Sequence, residues 1–492
     1  MKLRIRLAVL FTFAALAAPF ALGLGGGNAA TASRAVLYRY AIHYPMNRVS
    51  DARYAIRWLN AQGFDIAGVN ARKKEIEVIT DDRGMQLLAR ASYAGHVIDQ
   101  HIDGTNVAPD ARYLNPAKVE QKLQALHAQY PTITRLERVG MSNQNRPVYA
   151  LLVSSTPRAN DPVALDKPSI VFDGMHHARE IMTSEIVMDV AEHLLQSVAS
   201  GNMEARKIVE GWNVWVLPML NVDGNNIVWN ENAMWRKNAA ASGGRVHGVD
   251  INRNYSYRWA DCNGSSSSRM NDTYHGASAA SEPETQALMR LWDAARPAVS
   301  LSYHSYSELV LYPFGCEGSL SSEHQLIDKV GKELATMLPG DSGGFYEPGT
   351  PWQILYAVDG DSMDYVFSQY GTLAYTFEVN QTFQPRYEVR QPTVEKHRKA
   401  WKYLLNRATN GMLRLKVMDA ATGAPAAGAS IAINTIPHTQ NEKPFTTNAA
   451  GSFFKVLDPG SYTMIVTLAN GRQKMVQVAM TGQSQTLVVQ VP

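Results

Sequence analysis

The middle of the chain alternates between short apolar runs and longer segments with helical spacing of apolar residues. The clearest apolar runs span residues 148–154, 169–173, 212–218, 298–303 and 372–378. Runs of this kind predict strands that are buried on both faces, and their alternation with helices predicts an α/β sheet covered on both sides. A helix over 393–408, with Gly411 just past its end, closes the predicted unit, which spans 105–410.

The pattern differs in residues 33–104, where short strands and two amphipathic helices follow one another. Strands are predicted near 36–44, 64–69, 75–80 and 96–98, and helices near 50–60 and 82–91. The order β-α-β-β-α-β is that of a split, ferredoxin-like α+β unit. The polar residues that follow predict a linker.

Residues 411–492 contain short alternating runs separated by turn signals such as Asp458-Pro459-Gly460. This pattern predicts an all-β sandwich. No cluster of aromatic or charged residues assigns it a task. Binding of carbohydrate or of a surface, contact with the preceding unit, and a purely stabilising role all stay open.

The first 32 residues have the three parts of a secretory signal. Lys2, Arg4 and Arg6 precede an uncharged run over 7–24, and Ala30-Thr31-Ala32 offers a cleavage site. The run is also close to the length of an uncleaved membrane anchor. Pro19 and the glycines that follow favour cleavage, which predicts a secreted or periplasmic protein without stable membrane association.

Charge and cysteine content narrow the class further. The 492 residues include 47 Lys+Arg against 44 Asp+Glu, a net +3, and the three positive charges of the signal account for that excess. The balance does not support a nucleic-acid partner. Two cysteines exclude a disulfide-dense scaffold. Cys262 and Cys316 could pair in an oxidising compartment or stay as two buried thiols.

The segment Gly174-Met175-His176-His177-Ala178-Arg179-Glu180 directly follows the run 169–173. A histidine and a glutamate three residues apart at such a turn project to one side and can offer a nitrogen and an oxygen to Zn²⁺. The pattern alone is weak. His176 has no glutamate three residues on, and we expect it to be a packed or hydrogen-bonded neighbour.

A zinc site needs a third ligand, and His304 follows the apolar run 298–303. Glu378 ends the run 372–378 in the same way. Ligands gather at the carboxyl ends of strands in open α/β sheets. We therefore expect these side chains to meet His177 and Glu180, although His304 taken by itself is more typical of a satisfied core histidine.

Eight separated motifs carry a resemblance to a known family. They are His177-Ala-Arg-Glu180, Trp235-Arg236-Lys237, Gly248-Val-Asp-Ile-Asn-Arg-Asn254, Tyr274-His-Gly276, Ser302-Tyr-His-Ser-Tyr306, Leu311-Tyr-Pro-Phe-Gly315, Tyr356 and Tyr375-Thr-Phe-Glu378. In this order they resemble the zinc metallocarboxypeptidases of the pancreatic A/B type, over residues 113–408. The resemblance implies a mixed, twisted sheet with helices on both faces. It also implies that residues 33–104 are an activation segment, which would make the protein a zymogen.

The resemblance implies one Zn²⁺ per chain, bound by His177, Glu180 and His304. Asp250 would orient His177 through its other ring nitrogen. Glu378 would be the general base that activates a water molecule and then protonates the leaving amine.

The substrate contacts are carried over in the same way. Arg236 would stabilise the developing oxyanion. Asn252 and Arg253 would hold the terminal carboxylate of a peptide or protein substrate, and Tyr356 would close over it. Arg179 and Tyr306 would contact the penultimate residues. The Ser305-Tyr306 bond is expected to be cis.

The pocket for the terminal side chain would be lined by Gly315, Val358, Gly360, Asp361, Met363 and Thr376. Met363 stands where an apolar residue marks A-type enzymes and predicts cleavage after bulky apolar or aromatic residues. Asp361 departs from the A-type pattern, which has glycine there. A carboxylate beside an apolar floor would pair with Lys or Arg and so predicts some cleavage of basic ends as well.

Two other functions stay open at this stage. The same zinc site could serve an amidase or endopeptidase on cell-wall peptides, although Asn252, Arg253 and Tyr356 argue for a free α-carboxylate. The chain could also be a binding protein that has kept the fold without the activity.

Overall fold

The computed structural model describes residues 36–44, 49–70, 73–100, 108–157, 165–439 and 441–492. The predicted signal over 1–32 and the predicted boundary near 104 lie outside these ranges. No helix among the described residues is both long and apolar enough to span a bilayer.

The N-terminal unit (residues 36–100) is a four-stranded antiparallel sheet with two helices on one face. Its elements are β1 (Tyr38–His43), α1 (Val49–Gln62), β2 (Asp65–Asn70), β3 (Glu75–Thr80), α2 (Asp82–Arg90) and β4 (Ala94–Gln100). The strand order is β2-β3-β1-β4, and the order of elements is the predicted β-α-β-β-α-β. Ile42, Ile76 and Val78 point to the helices and pack against Leu59 and Leu88.

The other face of this sheet carries no helix and lies against the central unit (residues 108–410). Ile79 packs with Tyr306 and Phe383 of the central unit. Alternate residues of a strand point to opposite faces. One strand can therefore pack on its own helices and on the neighbouring unit at once.

The central unit begins with an antiparallel pair and continues with helices and strands in alternation. Its first half contains α3 (Pro116–Gln129), β5 (Thr134–Met141), β6 (Pro147–Val153), β7 (Ser169–Gly174), α4 (Met182–Ala199), α5 (Met203–Gly211), β8 (Asn213–Leu217), α6 (Val222–Asn230), β9 (Ala241–Ser242) and β10 (Arg245–Val246). Its second half contains α7 (Pro283–Ala295), β11 (Val299–His304), β12 (Leu309–Leu311), α8 (His324–Ala335), β13 (Glu347–Gly349), α9 (Pro351–Ile354), α10 (Ser362–Tyr370), β14 (Leu373–Glu378) and α11 (Arg390–Asn410).

Eight of these strands form one mixed sheet in the order β13-β12-β14-β11-β7-β8-β6-β5. The four strands at its centre, β14, β11, β7 and β8, run parallel to one another. Every residue of β7, β8 and β11 is buried, as the apolar runs predict. Mixed α/β architecture is thereby confirmed for this part of the chain.

The C-terminal unit (residues 411–492) consists of β15 (Met412–Asp419), β16 (Ser430–Ile433), β17 (Phe445–Thr446), β18 (Ser452–Val456), β19 (Gly460–Thr467), β20 (Gln473–Met480) and β21 (Gln485–Val491). The strands form two sheets, β18-β15-β21 and β17-β16-β19-β20. Both contribute to a single apolar core that includes Val417, Ile431, Met464 and Val489. This is the predicted sandwich. The sequence reasoning missed β17 and β21.

Polar contacts join the C-terminal unit to the central unit. Lys455, buried, pairs with Glu323 and also donates to the carbonyl of Gly371 at 2.6 Å. Asn448 donates to the carbonyl of Leu165 at 2.7 Å. Of the roles that the sequence left open, contact with the preceding unit is therefore observed.

Two covalent features agree with the sequence expectations. Cys262 and Cys316 form a disulfide, so of the two open alternatives the paired one holds. The Ser305-Tyr306 peptide bond is cis. A second cis bond, Pro313-Phe314, was not anticipated.

Candidate active site

The candidate site lies where β7, β11 and β14 end. These three strands are neighbours and parallel, so their carboxyl ends meet at one edge of the sheet. His304 and Glu378 are the last residues of β11 and β14 and stand side by side in register. The predicted meeting of strand ends is observed.

The loop after β7 turns sharply and is fixed by side-chain hydrogen bonds. Met175 has a positive φ of 62°, which turns the chain away from the strand direction. The N–H of Met175 donates to Oγ1 of Thr183 at 3.1 Å, and the Thr183 hydroxyl donates to the carbonyl of Glu180 at 2.7 Å. The turn carries His177 and Glu180 to the sheet edge.

The donor atoms of three buried side chains converge at this edge. Nδ1 of His177 lies 2.6 Å from Oε1 of Glu180 and 3.1 Å from Nδ1 of His304. Nδ1 of His304 lies 3.3 Å from Oε2 of Glu180. Donors of a tetrahedral zinc site with bonds of about 2.1 Å stand roughly 3.3 Å apart. Two of the three separations are close to this value, and the contact between His177 and Glu180 at 2.6 Å is shorter, as in a hydrogen bond. The donor types and the two longer separations fit a zinc ion.

Asp250 and Arg236 lie next to this cluster and carry opposite charges. Oδ1 of Asp250 lies 3.3 Å from Nε2 of His177, and Nη2 of Arg236 donates to Oδ2 of Asp250 at 2.8 Å. Burial alone would raise the pKa of Asp250, but the Arg236 guanidinium and His177 hold it well below its ordinary value. An ionised Asp250 at this distance favours a proton on Nε2 of His177 and leaves Nδ1 free for a cation.

Glu378 faces the same space. Burial raises the pKa of Glu378 well above its ordinary value, and the Glu180 carboxylate raises it further. The guanidinium groups of Arg236 and Arg253 oppose this shift. A dication held by the neighbouring cluster would also oppose it. Glu378 thus lies between the Glu180 carboxylate, which raises its pKa, and positive groups, which lower it. The balance of these neighbours sets its proton affinity.

Two further residues that the sequence assigned to substrate binding, Asn252 and Arg253, follow Asp250 in a 3₁₀ turn. Arg253 is buried and is oriented by two backbone carbonyls, those of Gly264 at 3.0 Å and Asn252 at 2.9 Å. The side-chain oxygen of Asn252 accepts the N–H of Ser362 at 3.0 Å. These bonds fix the guanidinium and the amide before any substrate arrives.

Tyr356 lies close enough to Arg253 and Arg236 for their charges to act on its phenol. Burial raises the pKa of its phenol, and the cations of Arg253 and Arg236 lower it. Together with Leu355, Tyr356 also packs against the apolar core of the N-terminal unit. The residue predicted to close over a substrate is therefore in contact with the covering unit.

Arg179 and Tyr306 are both engaged by the N-terminal unit. Arg179 donates to Asp65 through Nη1 at 2.6 Å and through Nη2 at 2.9 Å. The Tyr306 hydroxyl donates to Oε2 of Glu77 at 2.7 Å. Asp65 and Glu77 were missed by the sequence reasoning. Both side chains lie on the sheet face opposite the two helices. They could be recognised as contact residues only by knowing that the central unit covers this face.

Asp361 and Met363 lie at the start of α10, and both are buried. Asp361 is the N-cap of this helix, and its Oδ1 accepts the N–H of Asp364 at 2.8 Å. A Cβ built on Gly315 would lie 3.0 Å from Oδ2 of Asp361. The absence of a side chain at Gly315 thus opens space beside this oxygen. Burial raises the pKa of Asp361 to about 6.

His176 lies beneath the cluster and is fully buried. Its Nε2 stands 2.9 Å from the Tyr255 hydroxyl, and its ring stacks on that of His304 at 5.1 Å. The expectation of a packed, hydrogen-bonded neighbour is confirmed.

Residues 119–400, more than half of the chain, match the family model described as zinc carboxypeptidase. The chain belongs to the zinc carboxypeptidase family. The resemblance of its motifs and the predicted zinc cofactor are confirmed at this level, and the His177–Glu180–His304 cluster supplies a donor set for the ion.

Similar proteins carry related names. The chain is 31% identical to zinc carboxypeptidase A 1 of Anopheles gambiae over 260 residues, which are 52% of this chain and 57% of that protein. It is 29% identical to carboxypeptidase O of Bos taurus over 271 residues, 54% of this chain and 70% of that protein. The match thus spans little more than half the length of the first of these relatives.

Among solved structures, carboxypeptidase A from Helicoverpa armigera is similar in fold. The TM-score is 0.64 at 21% identity, and the similarity covers 75% of this chain and 95% of that one. At this identity the likeness supports the carboxypeptidase fold alone.

Proposed function

We propose that this protein is a secreted, zinc-dependent metallocarboxypeptidase that hydrolyses the last peptide bond of peptides and proteins. The observation that carries the proposal is the position of Glu378. It stands in register with His304, beside a buried zinc-type donor set and within reach of Arg253. A proposed base, a metal-type donor set and a cation suited to a carboxylate thus lie close together.

When bound, zinc lowers the pKa of a coordinated water toward about 7 and polarises a carbonyl group. His177, Glu180 and His304 would hold the ion, and Asp250 would fix the tautomer of His177. Glu378 would accept a proton from the attacking water and deliver it to the leaving amine.

Arg236 would stabilise the negative charge that develops on the carbonyl oxygen. Asp250 orients its guanidinium through Nε and Nη2, at 3.2 and 2.8 Å. Nη1 lies 4.0 Å from Oε1 of Glu180 and so points toward the zinc-type cluster. A guanidinium fixed in this way costs little reorganisation in the transition state.

The terminal carboxylate would be held by Arg253 and Asn252, with Tyr356 closing over it. Arg253 is buried and already oriented by backbone carbonyls. Asp250, Asp361 and Glu378 are within electrostatic range of this guanidinium, but its hydrogen bonds among the described residues go to backbone carbonyls. A buried guanidinium is best stabilised by a directly bound anion. A free α-carboxylate meets that requirement, whereas the internal peptide bond of an endopeptidase or amidase substrate does not.

The N-terminal unit would act as a pro-segment that keeps the enzyme latent. Its Asp65 carboxylate accepts hydrogen bonds from Arg179 with both oxygens, and its Glu77 carboxylate accepts one from the Tyr306 hydroxyl. An acidic side chain in this place imitates the polar groups of a bound substrate. Removal of residues before the central unit would free both side chains for a peptide. The predicted signal over 1–32 supports secretion, and the Cys262–Cys316 disulfide suits an oxidising compartment.

Broad specificity would follow from the pocket. Met363 offers an apolar floor, while Oδ2 of Asp361 has no hydrogen-bond partner within the described residues. A basic terminal side chain would supply that partner. We therefore expect cleavage after bulky apolar residues, together with some cleavage after Lys and Arg.

Zinc dependence and product analysis test the proposal. The full chain, before and after limited proteolysis with trypsin, is incubated with a peptide ending in Phe, and the products are weighed by mass spectrometry. We expect stepwise loss of single C-terminal residues that a chelator abolishes and Zn²⁺ restores. Internal cleavage, or activity that survives complete removal of zinc, contradicts the proposal.

A further inference from the structure

A second group of two histidines and one glutamate lies on the N-terminal unit, outside the candidate active site. His43 ends β1, Glu75 begins β3, and His96 lies in β4. His43 stands directly opposite Glu75 in the β1–β3 register. In the β1–β4 register, His96 lies opposite Ala41, two residues before His43.

All three side chains project from one face of the sheet. Residues two apart on a strand share a face, as do residues directly opposite each other on neighbouring strands. His43 shares its face with Ala41, and therefore with His96 and Glu75. This is the helix-free face, and here it is open to solvent, because half of the His43 side-chain surface (50%) is exposed.

The donor atoms of the three side chains lie within 4.8 Å of one another. Nε2 of His43 is 3.2 Å from Nδ1 of His96, and Nδ1 of His43 is 3.6 Å from Oε1 of Glu75. A carboxylate beside Nδ1 favours a proton there and leaves Nε2 with its lone pair. The separation of Nε2 of His43 and Nδ1 of His96 is close to that of two nitrogens bound to the same zinc ion, about 3.3 Å.

We propose that His43, His96 and Glu75 form a second metal site, which takes one divalent ion of the zinc class. The two imidazole nitrogens are the ligands, Glu75 orients His43 or completes the set, and solvent fills the remaining positions. Imidazole suits Zn²⁺, Cu²⁺ and Ni²⁺, whereas Ca²⁺ and Mg²⁺ prefer oxygen. The site shares no residue with the His177–Glu180–His304 cluster.

The site would connect three strands of the N-terminal unit. β4 is an edge strand and is held through β1 alone. An ion bound between β1 and β4, with Glu75 of β3 in support, adds a link across the sheet and stabilises the state that binds it. We expect it to slow local opening of β4.

Zinc titration of the full, zinc-loaded chain tests the proposal. Isothermal titration and metal analysis after dialysis should give one further equivalent for the wild type and none for His96→Gln. His247→Gln, a change at a histidine outside both clusters, should keep the further equivalent. The double variant His177→Gln/His304→Gln should lose the ion of the buried cluster and retain the one at the surface.

The alternative to a metal site is a hydrogen bond between the two imidazole rings, which is compatible with the same separation of the nitrogens. If it holds, the wild type takes up no further zinc, and the proposal is overturned. A further equivalent that persists in His96→Gln overturns it as well. Amide hydrogen exchange gives a second readout that does not depend on turnover. Added zinc should slow exchange in β4 of the wild type and leave His96→Gln unchanged.

Discussion

The two histidine–glutamate clusters have the same donors and different surroundings. His177, Glu180 and His304 are buried at the ends of parallel strands. His43 and His96 are exposed on an open sheet face, with Glu75 beside them. Glu378, Arg236 and Asp250 lie around the first cluster.

This difference decides what each cluster can do. In a buried site charges interact strongly, because little water screens them. The shifted pKa values of Glu378 and Asp250 reflect that setting. The surface cluster faces solvent, whereas the buried cluster faces Glu378, the proposed base, and Arg253, the proposed partner of a substrate carboxylate. Metal-binding donors alone therefore predict a site, and their environment predicts whether it is reactive.

Replacing the proposed base of the buried site, Glu378, should have the largest effect. We expect Glu378→Gln to lower kcat/KM about 10³-fold, since a positioned general base contributes roughly 10²–10⁴-fold. Zinc content should not change, because Glu378 is not one of the proposed ligands. Glu395→Gln, at an exposed position of α11, is the matched control. Peptide hydrolysis with parallel metal analysis checks both, and an active Glu378→Gln would remove Glu378 from the mechanism.

Loosening the cover over the site should have the next largest effect, in the opposite direction. Asp65→Asn removes the charge that pairs with buried Arg179, an interaction of a kind that costs about 2–5 kcal/mol to break. We expect the activity of the uncleaved chain to rise at least about tenfold, with little change after trypsin treatment. Asp82→Asn, at an exposed position of α2, should behave like the wild type. Equal activity of cleaved and uncleaved wild type would contradict latency.

Specificity should depend on Asp361 and on pH. Asp361→Asn keeps a capping oxygen for α10 and removes the charge, so the ratio of kcat/KM for Arg ends to that for Phe ends should fall about tenfold. Because burial raises the pKa of Asp361 to about 6, it is neutral below that pH and ionised above it. The ratio should therefore rise between pH 5 and 7 in the wild type. A ratio that is flat in pH and unchanged in the variant would exclude Asp361 as the acceptor.

The surface cluster should give the smallest effect. Zinc at tenfold its dissociation constant stabilises a protein by about 1.4 kcal/mol. A shift of that size, seen as a higher unfolding midpoint of the full chain, should appear in the wild type and be absent in His96→Gln. Peptide hydrolysis should be the same in both. A change in turnover would mean that the cluster acts on the active site.

The sequence supports prediction of the buried site because strand ends and family motifs coincide there. His304 and Glu378 each end an apolar run, and parallel strands bring such ends together. The contacts of Asp65 and Glu77 could not be predicted, since nothing in a strand residue tells which unit covers it. The surface cluster was accessible in principle. His43, Glu75 and His96 lie on or beside predicted strands, but their meeting depends on a register that the pattern does not fix.

Asp361 illustrates a second limit. The resemblance places it in the specificity pocket, yet the structure also gives it a capping role at α10. Oδ1 accepts the capping hydrogen bond from the N–H of Asp364, and Oδ2 lies beside Gly315. A motif assigns a residue to a site, but only the geometry shows how its hydrogen-bonding capacity is divided.

The buried site is proposed to bind the free α-carboxylate at the end of a peptide chain. The most direct measurement compares kcat/KM for one peptide as the free acid and as the C-terminal amide, using the zinc-loaded, trypsin-treated chain. The proposed pairing with Arg253 predicts that the amide is cleaved at least about a hundredfold more slowly, the loss expected when a buried charge is left unpaired. Cleavage of both forms at the same rate would contradict the account and favour an amidase or endopeptidase instead.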